Sequence, residues 1–103
     1  SFHNPATIVE QAVCNALGCS LSAIHSDSRK AAYVVPRHLS MILMRETGMI
    51  YEDIAKHFNR HHSAIFNAER RIEDLCKTDP AFGRKVDALR TAVRSKLRGK
   101  KTP

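Results

Sequence analysis

Apolar positions recur at helical spacing along most of this chain, and no stretch alternates with period two for long. The pattern therefore predicts an all-α domain. Ile8, Val9, Ala12, Val13, Ala16 and Leu17 form the first stripe, with Asn4 as its cap, Pro5 in its first turn and Gly18 as its stop. LSAI, 21–24, reads as a short helical turn. Residues 26–35, SDSRKAAYVV, run polar and then apolar without helical period, which predicts a loop. Pro36 then opens a third helix, which passes through Leu39, Ile42, Leu43 and Glu46 and stops at Gly48. EDIAKHF follows as a short helix with Ile54, Ala55 and Phe58 inward. After an NRH turn, a longer helix runs from about His62 to Lys77, with Ile65, Ala68, Ile72 and Leu75 on one face. Asp79 and Pro80 cap and open the last helix. Its buried stripe is Phe82, Val86, Leu89 and Val93, and Arg90, Arg94 and Arg98 line a separate, exposed one.

The expected architecture is a compact domain of about five to six helices. A short helix, a tight turn and a longer helix with matched apolar positions form a helix-turn-helix. In that arrangement the second helix presents its amino-terminal end to the major groove. With Ile65 and Ile72 inward, Ser63, Asn67, Arg70 and Asp74 point outward, and Ala64 and Arg71 flank that face. Asparagine can pair bidentately with adenine, and an alanine methyl can pack on a thymine methyl. His61 and His62, at the helix start, can donate to bases or phosphates. An ordinary polar helix face explains the same residues equally well at this level.

Composition sharpens this in two places. At 103 residues the chain suits one domain, taken as residues 1–98, followed by a basic, disordered tail at 99–103. The net charge of +7 is unevenly placed. Residues 1–80 balance nine Lys/Arg against nine Asp/Glu, and residues 81–103 set eight basic residues against Asp87 alone. The excess suits a polyanion, nucleic acid before membrane, since no apolar face with aromatic anchors accompanies it. Neither a membrane-spanning run nor a secretory signal is present, which fits a cytoplasmic protein. The start, SFHNPATIVEQAV, lacks an initiator methionine, as a processed chain or a piece of a longer one does.

Candidate chemistry changes little. Cys14, Cys19 and Cys76 share no metal-binding spacing and are expected to be reduced. His57, His61 and His62 lie close together, but the turn between 57 and 61 breaks the helical spacing that lets two histidines share a metal. No carboxylate or cysteine completes a set, so no metal is expected. Ser63 has histidine neighbours but no sign of an oxyanion site, so no catalytic residue, cofactor or small-molecule ligand is expected.

RHHSAIFNAERRI, 60–72, resembles the signature helix of the carboxy-terminal DNA-binding domain of DnaA, the bacterial replication initiator. Arg60, His62, Ser63, Ala68, Arg70, Arg71 and Ile72 match that signature, and Ile65 replaces a similar aliphatic residue. Tyr51, Ile54 and Phe58 of YEDIAKHF, and Pro36, Arg37, Met41, Leu43, Arg45 and Glu46 of PRHLSMILMRE, are in register with two further family segments. Arg29 stands at the place of the family's basic-loop arginine. The resemblance covers about residues 5–95 and implies a Trp-repressor-like, all-α domain that binds double-stranded DNA as a monomer in bacterial replication initiation or its regulation.

Carried over, the resemblance puts Arg29 in the minor groove and His61, His62, Ser63, Ala64 and Asn67 at base edges. Lys30, Arg37, His38, Arg60, Arg70 and Arg71 would hold phosphates. His61 stands where the family has an aspartate that accepts from a base amino group, and Ala64 where it has a hydroxyl residue. The competing reading is a protein-interaction module or transcriptional regulator that keeps the fold without reading the initiator's usual site.

Overall fold

Capping chemistry sets most helix boundaries in the computed structural model, which describes residues 4–99. Helix α1 (Pro5–Leu17) begins where the Asn4 side chain accepts the Ala6 N–H at 2.9 Å. It ends at Gly18, whose φ of 66° lies in the left-handed region that glycine enters freely. Helix α2 (Leu21–Ile24) starts on Ser20, which accepts the Ala23 N–H at 3.2 Å. Helices α4 (Tyr51–Phe58), α5 (Ser63–Thr78) and α6 (Pro80–Gly99) agree with the sequence pattern to within a residue. Asp79 closes α5 and opens α6, its side chain accepting the Phe82 N–H at 3.2 Å.

Helix α3 (Ala31–Glu46) corrects the expected loop and the expected first-turn proline. It starts five residues before Pro36, with the Tyr33 and Val34 N–H groups bonded to the Lys30 carbonyl at 2.9 Å. Pro36 therefore lies inside the helix, where it removes one i→i−4 bond. Burial offsets that loss: Val34 and Pro36 are both packed away from water. Ser40, itself buried, donates its hydroxyl to the Pro36 carbonyl at 2.8 Å.

The core is centred on α3. Leu39, Met41, Leu43 and Met44 are buried all round that helix because α1, α2, α4 and α5 pack against it. Each such side chain contributes roughly 1.5–3 kcal/mol of burial. Helix α6 lies on α1 and α5 through Val86, Leu89 and Val93, with Phe82 half-buried beside them. Arg90 departs from its expected place on a free stripe. It is half-buried and grips Glu46 at 3.0 Å and Asp87 at 3.1 Å, while Arg94 and Arg98 are exposed. Of the expected tail, α6 takes in Gly99, and residues 100–103 lie outside the described residues. No helix among the described residues is long and apolar enough to cross a membrane.

Candidate nucleic-acid interface

The turn between α4 and α5 is built by one residue. Asn59 sits at φ 54°, ψ 50°, a left-handed conformation that asparagine tolerates better than most side chains. Behind it the Arg60 N–H returns to the Ala55 carbonyl at 2.8 Å. The chain then enters α5 with Ile65, Ala68 and Ile72 buried against the core, which turns Ser63, Asn67, Arg70 and Arg71 outward as the wheel predicts. Ala64 is half-buried at the edge of that face.

His61 caps α5. Its Nδ1 accepts the Ser63 backbone N–H at 3.2 Å and lies 3.0 Å from the Ser63 hydroxyl. A backbone N–H only donates, so Nδ1 carries a lone pair, and in the neutral ring the proton sits on Nε2. The outward nitrogen of His61 is thus a donor, the reverse of a carboxylate. The His61 and His62 rings lie 4.1 Å apart, and Phe66 continues an aromatic strip towards Tyr51, whose ring is 4.8 Å away. Phe66 is 45% exposed, a large apolar group on a face the wheel reads as polar. Its position beside Ile65 in the sequence makes it look like a core residue, so sequence reasoning missed it.

The loop carrying Arg29 and Lys30 is held from beneath. Arg37 is only 4% exposed, and its guanidinium donates to the carbonyls of Ile24 at 3.0 Å, Ser26 at 2.5 Å and Ser28 at 3.1 Å. Burial, with Arg60 adding to it, lowers its pKa from the usual arginine value. With Nε and Nη2 directed at backbone oxygens, Arg37 is a strut of the loop. The strut leaves Arg29 and Lys30 exposed above it. From the helix-turn-helix side, Arg60 reaches the same loop: it donates to the Ser26 carbonyl at 3.4 Å and pairs with Asp27 at 3.5 Å. The structure thereby joins two segments that lie 34 residues apart.

His38, expected to hold phosphates, lies under the same cations. Burial, joined by the charges of Arg71, Arg37 and Arg60, pushes its imidazole down to about 4, so it is neutral near pH 7. Its buried Nδ1 has no hydrogen-bond partner. The same three arginines that depress it show how closely α3, the turn and α5 bring positive charge together. Arg70 and Arg71 make no ion pair among the described residues.

The histidines weighed in sequence as a metal group separate. His57 turns from His61 and His62 to face the buried Glu10. Cys14, Cys19 and Cys76 are free and half-buried; burial and the neighbouring Cys19 push the Cys14 thiol up to about 11.

Comparison with known proteins places this arrangement. A family model described as the bacterial dnaA protein helix-turn-helix matches residues 6–72, from α1 into α5. The chain is 31% identical over 90 residues to the chromosomal replication initiator protein DnaA of Mycoplasma capricolum, covering 85% of this chain and 20% of that relative. It is 27% identical over 88 residues to the DnaA of Onion yellows phytoplasma, covering 84% and 17%. The DnaA of Oleidesulfovibrio alaskensis is 32% identical over 80 residues, covering 77% and 17%. The chain thus spans about a fifth of the length of the curated relatives it matches. With most of its helices inside the matched region, the chain belongs to the bacterial DnaA helix-turn-helix family.

Proposed function

We propose that this domain binds double-stranded DNA sequence-selectively, in replication initiation or its regulation. Arg29 enters the minor groove, and His61, His62, Ser63, Ala64 and Asn67 face base edges in the major groove. Lys30, Arg60, Arg70 and Arg71 contact phosphates, with neutral His38 beside them able to donate only from Nε2. The observation that carries this reading is the Arg60 bridge, which fixes the Arg29 loop against the turn that aims α5. A minor-groove arginine and a major-groove helix must keep a fixed separation to engage one duplex together. Two contacts support that separation, Arg37 bonding the loop from below and Arg60 reaching it from the side, and each lowers the ordering cost of binding.

The polarity of His61 bears on which site is read. A donor at Nε2 favours a base edge that accepts, such as guanine N7 and O6, over the amino group that an aspartate would select. The predicted preference at that base pair therefore differs from that of relatives carrying the acid. The test is an anisotropy titration of labelled duplexes over a salt series. A preferred duplex, weakened by Arg29→Ala and by Ser63→Ala, is the expected result. Equal binding to every duplex, insensitive to both substitutions, would favour a protein-interaction module that keeps the fold and uses its basic end on an acidic partner.

A further inference from the structure

Away from the exposed cations of α5, the side chains of Glu10, His25 and His57 converge from three elements. Glu10 lies in α1, His25 closes α2, and His57 lies in the last turn of α4. Nε2 of His25 is 2.5 Å and Nε2 of His57 is 3.0 Å from the same carboxylate oxygen, Oε2 of Glu10. One donor atom from each residue lies within 4.8 Å of the other two. Glu10 is 5% exposed, an acid drawn into the interior of a domain whose other carboxylates lie nearer the surface. The two imidazoles are 34% and 30% exposed, so the cluster has a dry floor and a rim open to water.

We propose that Glu10, His25 and His57 form a binding site for a divalent cation of the zinc class. Two imidazole nitrogens and one carboxylate oxygen are a protein ligand set that zinc accepts, with water in a fourth position. Bond lengths of about 2.0–2.1 Å in a tetrahedron put ligand atoms roughly 3.3 Å apart. The pairs at 2.5 and 3.0 Å have to open by less than an ångström to reach that spacing. Phe58 orients both rings: it stacks on His25 at 4.9 Å and meets His57 edge-on at 5.2 Å. A phenylalanine floor also lowers the local dielectric, which strengthens the attraction of the carboxylate for a cation.

The site departs from the expectation that no metal is bound. That expectation grouped His57 with its sequence neighbours, whereas its partners His25 and Glu10 lie 32 and 47 residues away in the chain. Bound metal ties α1 and α4 to the residue from which the Arg29 loop departs. It therefore acts as a structural clamp on the fold and supplies no chemistry.

The full 103-residue chain is titrated with Zn²⁺ and, separately, with Co²⁺ as a visible probe. One equivalent should bind, the Tm should rise and return on adding a chelator, and the cobalt spectrum should be of a nitrogen-and-oxygen, thiolate-free site. His57→Ala and Glu10→Gln should each weaken binding by more than the about 10–100-fold that loss of an outer-shell partner costs. His61→Ala should leave it unchanged. If His57→Ala fails to fold, His25→Gln gives the same readout. Absence of stoichiometric binding, or binding that survives these substitutions, overturns the site. So does a thiolate signature, which would move the ligands to Cys14 and Cys19.

Discussion

Two regions of this domain carry positive charge in opposite ways. Helix α6 holds Arg84, Lys85, Arg90, Arg94, Lys96 and Arg98, and with Lys100 and Lys101 beyond it accounts for the whole net excess of the sequence. The loop and the turn lie within residues 1–80, which as a whole have no excess by count. Within the loop and turn Asp27 pairs with Arg60, while on the neighbouring helices Glu10 faces His25 and His57, Glu46 pairs with Arg90, and Glu73 pairs with Lys77. Arg29, Lys30, Arg70 and Arg71 are left unpaired among the described residues, beside a helix end with groups that can read bases. Segregation makes that face, whereas the charge of α6 follows from composition alone. On this account α6 braces α1 and α5 and adds a diffuse attraction for polyanions, and the loop and turn choose the site.

The largest effect should come from the residue that holds the loop from beneath. Arg37→Ala leaves three loop carbonyls without their donor, and a buried unmet acceptor costs about 1–3 kcal/mol. Urea unfolding should show a loss of roughly 3 kcal/mol. Duplex binding should fall in parallel, since the loop that aims Arg29 loses its strut. Unchanged stability would remove the claim that the face is prebuilt.

A paired substitution sharpens the contrast next. Arg71→Ala should lower the slope of log affinity against log salt by about 0.9, as one lost phosphate contact does. Arg94→Ala, on α6, should change the slope far less and leave the preferred duplex unchanged. Equal effects at both positions would mean that charge alone governs binding. A subtler consequence concerns His38, whose folded pKa of about 4 lies below its unfolded value of 6.5. The unfolded chain binds the proton more readily between those values, so this contribution to stability is full above pH 6.5 and lost as the pH falls towards 4. His38→Gln should flatten the urea midpoint across that window relative to the parent chain.

Helix periods, caps and the helix-turn-helix were legible in the sequence because each is a local signal. Asn4, Gly18, Asn59 and the Asp79–Pro80 pair act within a few residues of where they stand. The start of α3 was not, since only tertiary burial reveals that a proline five residues inside a helix is tolerated. The wheel put Ser63, Asn67, Arg70 and Asp74 on the outer face with Arg71 at its flank, but it had no means of seeing Arg37 swallowed by the loop it supports. The Glu10–His25–His57 cluster was illegible for the same reason: its members come from helices whose packing fixes their meeting, and spacing along the chain does not encode it.

His61 bears most directly on the central claim that α5 reads base edges through its amino-terminal end. Duplexes selected from a random pool by the parent chain and by His61→Asp give the comparison in a single measurement. A defined site is expected for both, differing at one base pair, where the parent prefers an accepting edge and the variant an amino group. A discrimination of roughly 1–3 kcal/mol at that pair is the size a direct contact supports. Two identical sites, or no preferred site in either selection, would contradict the account.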